Sequence, residues 1–104
     1  KAGEDGDFDR KVSVIEEADG IVPGLLDVGP DVVLVTGDHS TPSVLRSHSW
    51  HPVPYLLWGD AIRASGASSF GERACSGAAD GRRLGRNLMP LATAAAGRLG
   101  KYGA

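Results

Sequence analysis

A single cysteine, Cys75, is all the thiol chemistry this chain has. An internal disulfide is excluded, and so is a zinc site built from paired thiolates. A reducing, cytoplasmic setting is the expectation, and Cys75 itself reads as a small buried or half-buried residue. Charge of one sign is also missing. A formal net charge of −2 gives no handle on nucleic acid or on an anionic membrane surface. The one basic run, Arg82-Arg83-Leu84-Gly85-Arg86, has no interleaved aromatics and no helical face, and reads as a solvated loop. No apolar stretch approaches the roughly 20 residues of a membrane-spanning helix, and no signal peptide opens the chain. Histidine is scarce too: His39, His48 and His51 are the only three.

What is present suits one small α/β domain. The 104 residues are 41% hydrophobic and 23% charged, ordinary values for a globular chain. The first seven residues are rich in glycine and aspartate and read as a loop, with Asp5 or Asp7 placed to cap a helix. From Phe8, apolar residues recur at helical spacing through Val12, Ile15, Ala18, Val22, Leu25 and Leu26, with a break expected near Gly20 and Pro23. Val32-Val33-Leu34-Val35 is an unalternating β-branched run, as in a strand covered on both faces. A second strand is expected over Val53–Trp58, a long loop over Gly59–Gly85, and a last helix from an Asn87 cap, burying Leu88, Leu91, Ala92, Ala95 and Leu99. Two strands cannot form a doubly covered sheet alone, and "KAGEDGD" opens without a methionine, so the chain reads as a piece of something longer.

The three histidines share one loop, "VTGDHSTPSVLRSHSWHPVP", with Asp38 directly before the first. Asp38 and His39 stand just past the end of the first strand, the edge where open α/β sheets bind ligands. Carboxylate and imidazole suit borderline divalent ions. Neighbouring residues in extended chain point apart, so joint chelation by Asp38 and His39 requires a sharp turn, which Gly37 eases. The connection to the second strand is short and shows no clear helix, which favours an antiparallel return. His48 and His51 then arrive at the same edge as Asp38 and His39. In the bland alternative His51 is only a loop residue, and Trp50 and Pro54 pack in the core.

This loop resembles the metal-binding segment of archaeal-type cofactor-independent phosphoglycerate mutases, members of the alkaline phosphatase superfamily. The "GDHSTP" and "SHSWHPVP" pair carries most of the likeness. "FDRKVSVIEEAD", "FGERAC" and the tail "LMPLATAAAGRLGKYGA" extend it over nearly the whole chain. The resemblance implies that residues 1–104 are the carboxyl-terminal part of an alkaline-phosphatase-like α/β domain, with a mixed sheet flanked by helices. The serine nucleophile and the lid domain would lie outside this chain. It implies two divalent ions, manganese or zinc, with Asp38 and His39 on the ion beside that serine, His48 on the other, and His51 behind the ligands. The parent reaction would interconvert 3-phosphoglycerate and 2-phosphoglycerate through a phosphoserine, with this chain alone inactive. The rest of the parent chain, or self-association, would complete the fold; neither nucleic acid nor membrane is expected as a partner.

The chain departs from the family at one point. Where relatives commonly read "AGHDGD" this chain reads "AGEDGD", so Glu4 replaces a histidine ligand of the His48 ion. Either Glu4 binds in its place or that ion is lost. A further aspartate of the same site would fall before Lys1. Two other readings stay open: a related phospho- or phosphonate-processing enzyme, of the kind often labelled phosphonopyruvate decarboxylase, and a non-catalytic scaffold retaining metal ligands.

Overall fold

A computed structural model describes residues 1–101. The chain divides into two units, one formed by Lys1–Pro30 with Asp38–Val53, the other by Asp31–Gly37 with the chain from Pro54 onward.

In the first unit, the opening residues are not a loop. Ala2–Asp5 form a helical turn, α1, closed by Gly6 in the left-handed region at φ 74°. Gly6 N donates to Gly3 O and Asp7 N to Ala2 O, the paired bonds of a glycine-ended helix. Asp7 then caps α2, Phe8–Asp19, its carboxylate accepting from Arg10 N. The expected break follows at Gly20, and α3 runs Val22–Leu26 with Pro23 in its first turn, where the missing N–H is harmless. The histidine loop belongs to this unit as well. It is narrowed by an isolated antiparallel bridge between Ser40 and Ser49. A turn based on Pro42 O, which accepts from Leu45 N and Arg46 N, sends the chain back. Arg46 at its end has φ 50°, a conformation costing a side-chain-bearing residue about 1–2 kcal/mol.

The second unit holds the sheet. β1, Val32–Thr36, pairs antiparallel with β2, Tyr55–Gly59, in the register Val32↔Gly59 to Thr36↔Tyr55. The antiparallel return is as expected. β2 begins two residues later than its apolar pattern suggests, because Pro52 and Pro54 have no N–H to give a ladder; Pro54 O instead accepts from Thr36 Oγ1. The apolar residues of β1 are half-buried rather than fully covered. The expected long loop contains a short helix, α4, Glu72–Ser76, and Cys75 is half-buried with Sγ 3.8 Å from Tyr55 O. Tyr55 OH donates to Asp80, whose other oxygen takes Arg83. The guanidinium, and then the phenol, hold the Asp80 carboxyl below its ordinary range. Arg83 thus has a partner within an exposed loop, consistent with the solvated reading of the basic run.

Asn87 does not cap the last helix with its side chain. It ends a 3-10 turn, Gly85–Asn87, that leads into α5, Leu88–Ala95. The helix is shorter than expected because Gly97 terminates it at φ 67°, with Gly97 N on Ala94 O and Arg98 N on Thr93 O. Leu99 therefore lies beyond it. Residues 102–104, the end of the family-like tail, lie outside the described residues.

Candidate metal centre

The first unit carries the candidate site. Asp38 and His39 solve the problem of adjacent residues by a bend. The Asp38 side chain folds back so that Oδ1 accepts from the His39 backbone N–H at 2.8 Å, leaving Oδ2 3.4 Å from His39 Nε2. That amide bond is the main reason the Asp38 carboxyl sits below its ordinary range, so it stays ionised over a wide pH span. On the other strand of the loop, His48 Nε2 lies 3.7 Å from Glu4 Oε1, which α1 delivers.

The two pairs meet at one hydroxyl. Thr41 Oγ1 is 3.1 Å from His39 Nδ1 and 3.0 Å from His48 Nδ1, and the two rings stand 3.9 Å apart, tilted by 55°. The Ser40–Ser49 bridge explains this meeting. One residue inward on each side of an antiparallel bridge, Thr41 and His48 face each other. His39 and Thr41, two apart in extended chain, share a side. Thr41 is itself fixed, its carbonyl accepting from Lys11 Nζ of α2 at 2.7 Å. The pairs line an open groove of about 640 Å³, with Lys11 at its wall.

Asp38, His39, His48 and Glu4 are thus brought together, and His51 is not. His51 Nδ1 contacts Ser49 Oγ at 2.8 Å and its ring stacks on Trp50 at 4.5 Å. Trp50 is 83% exposed and does not pack in a core. Sequence reasoning does not single out Thr41, although the alternation His39–Ser40–Thr41 after a strand is a usable signal for it.

Among the described residues no three His, Cys, Asp or Glu side chains gather round a single point; four gather as two pairs. Two ligands on one tetrahedral ion, with bonds of about 2.1 Å, stand about 3.4 Å apart. The Asp38–His39 separation of 3.4 Å equals that edge, and the Glu4–His48 separation of 3.7 Å slightly exceeds it. Both are too long for good hydrogen bonds. The donor set therefore fits divalent ions, with each pair contributing two ligands toward a fuller shell.

Packing around Thr41 makes Gly3 a test of this geometry. A Cβ on Gly3 would meet Thr41 O at 2.6 Å, a backbone atom with little room to yield. In the complete protein, Gly3→Ala is expected to displace Thr41, cost about 1–3 kcal/mol of stability, and weaken any metal binding by the two pairs while leaving all four of their side chains in place. Thermal melting and calorimetric metal titration check both effects.

Residues 1–86 match the metalloenzyme superfamily, and the chain belongs to that superfamily. It is 49% identical over 102 residues to a protein of Thermotoga sp. strain RQ2 and 51% identical to one of Thermus thermophilus, each named as a probable 2,3-bisphosphoglycerate-independent phosphoglycerate mutase. In both cases the match takes 98% of this chain and 25% of the relative, so the chain spans a quarter of the length of these curated relatives. A solved structure, the PH0037 protein from Pyrococcus horikoshii, superposes with a TM-score of 0.90 at 36% identity, covering 99% of this chain and 28% of that one. These likenesses bear out the α/β class, the place of this chain within a larger domain, and the resemblance drawn from the "GDHSTP" and "SHSWHPVP" motifs. Family membership implies metal dependence. No helix among the described residues is long and apolar enough to cross a membrane.

Proposed function

We propose that this chain is the carboxyl-terminal, metal-holding segment of a cytoplasmic 2,3-bisphosphoglycerate-independent phosphoglycerate mutase that uses two divalent ions, manganese or zinc. The observation that carries the reading is the pairing of Asp38 with His39 and of Glu4 with His48 around one hydroxyl, in a chain about half identical to relatives bearing that name. Asp38 and His39 hold one ion and His48 with Glu4 the other, with His51 outside the ligand set. Bound there, divalent cations neutralise charge on a phosphoryl group in transfer. The chain's own part is positional. Asp38 stays ionised through the His39 amide, Thr41 orients both rings, and Lys11 ties Thr41 to α2. The serine nucleophile and the lid come from the rest of the parent protein, and phosphoglycerate is the substrate.

The test is metal content and turnover of the complete protein together: two divalent ions per chain and interconversion of the two phosphoglycerates in a coupled assay. Metal binding without that turnover favours another phospho- or phosphonate-processing activity, and absence of both favours the scaffold reading.

Glu4 sharpens the proposal. A carboxylate where relatives carry imidazole shifts preference toward manganese or magnesium, and imidazole suits zinc better. In the complete protein, Glu4→His is expected to raise zinc affinity relative to manganese. Glu4→Ala is expected to weaken the His48 ion by at least the roughly 10–100-fold that loss of an outer partner costs, with a smaller effect on the Asp38–His39 ion. Calorimetry with each metal checks this; unchanged affinities in both variants would remove Glu4 from the ligand set.

A further inference from the structure

Three basic side chains line the groove beside the two pairs: Lys1, Arg10 and Lys11. Two of them are already matched. Lys1 holds Asp5, and Arg10 holds Glu17 at 3.0 Å. Lys11 forms no ion pair among the described residues. It is half-buried, and its hydrogen bond goes to an uncharged group, from Nζ to the Thr41 carbonyl at 2.7 Å. An ammonium has three donors, so that bond leaves donors to spare. A charge partly withdrawn from water is costly without a counter-charge.

The placement has a cause in the chain. α2 starts on its Asp7 cap, and Lys11 is one turn in. Val14 and Ile15, three and four residues on, line the same groove, so one face of α2 forms its wall. The carbonyl that holds Nζ belongs to Thr41, whose hydroxyl lies against both His39 and His48. The ammonium therefore stands beside both carboxylate–imidazole pairs. Asp38 and Glu4 do not serve it, since each faces an imidazole instead. Its counter-charge has to come from outside the described residues. The groove, at about 640 Å³, has the size of a small-ligand site. A phosphate group suits it: compact, doubly charged, an acceptor on every free oxygen, and a usual partner for lysine as a point charge.

We propose that Lys11 is the substrate-binding residue of this groove: its Nζ, held in place by the Thr41 carbonyl, donates to an oxygen of a phosphate group seated beside the two pairs. The divalent ions next to that phosphate, and the acid that carries it, rest on the function proposed above; the anion site at Lys11 does not.

The experiment is calorimetric titration of inorganic phosphate into the complete protein, with and without bound manganese, alongside a count of manganese per chain. Lys11→Met keeps the length of the side chain and removes its charge. It is expected to retain manganese and to bind phosphate about 10–100-fold more weakly, the loss of one charge-assisted hydrogen bond. Lys11→Gln keeps an N–H for the Thr41 carbonyl but no charge, and is expected to bind phosphate as weakly as K11M. Phosphate affinity in K11M equal to that of the wild type, with manganese bound in both, would overturn the role of Lys11 and leave the metal reading intact. A wild type that binds phosphate through Lys11 but takes up no manganese would do the reverse. A wild type that binds no phosphate in either state overturns the proposal. If K11M loses manganese, K11Q decides. Manganese kept with phosphate weakened supports the anion site. Unchanged phosphate affinity overturns it, and so does manganese lost again, which would make Lys11 only a tie to Thr41.

Discussion

Asp38→Asn in the complete protein is expected to reduce bound divalent metal from two ions per chain to one and to lower mutase turnover by roughly a thousandfold or more. The first figure follows from the donor set. Oδ2 of Asp38 and Nε2 of His39 stand at ligand spacing, and an amide in place of the carboxylate removes the charge on which the proposed cation site depends. The second follows from the several kcal/mol of charge stabilisation that a metal supplies to phosphoryl transfer, at about 1.4 kcal/mol per tenfold in rate. The fold should be indifferent. Asp38 is largely exposed and its bond to the His39 amide can pass to the asparagine oxygen. His39→Gln should behave alike. His51→Gln, at a ring that contacts Ser49 and Trp50, should keep both ions. Elemental analysis of the purified variants, beside the coupled assay, measures this. A D38N protein that retains two ions would remove Asp38 from the ligands.

The segment 1–104, made alone, is expected neither to fold cooperatively nor to turn over phosphoglycerate, even with manganese added. Among the described residues no hydrophobic side chain is fully buried, while Val44, Trp50, Val28, Met89 and Phe8 are all more than 60% exposed. Ordering costs about 1–2 kcal/mol per residue in backbone entropy, and burial this incomplete cannot offset it. The sheet among these residues has two strands, a marginal number without further covering. The expected signature is a broad thermal transition, binding of a hydrophobic dye, and concentration-dependent association. No turnover is expected because the proposed function takes its nucleophile from the rest of the parent protein. A sharp two-state melt accompanied by metal-dependent conversion would contradict both halves of this expectation.

Much of the candidate site is legible in the sequence because its logic is local. A strand, a short helix-free connection and a second strand require an antiparallel return, so the loop "GDHSTPSVLRSHSW" leaves and re-enters the sheet at one end. The bend at Asp38 is only half visible: Gly37 suggests a turn, but the turn is made by the Asp38 side chain on the next amide. Thr41 escapes sequence reading because its importance comes from cross-strand pairing through Ser40 and Ser49, which no single-strand pattern records. The same limit explains α1. "AGED" has no periodicity to read over four residues, and only the Gly6 closure reveals it as a helical turn. At the other end the alanine-rich run promises a longer helix than Gly97 permits.

The most direct measurement of the central claim is anomalous diffraction from crystals of the complete protein grown with manganese. Two peaks are expected, one within ligand distance, about 2.0–2.2 Å, of Asp38 and His39 and one within the same distance of His48, with Thr41 between the two imidazoles. Manganese peaks placed away from both pairs, or no peak at either in a protein that still interconverts phosphoglycerates, would contradict it.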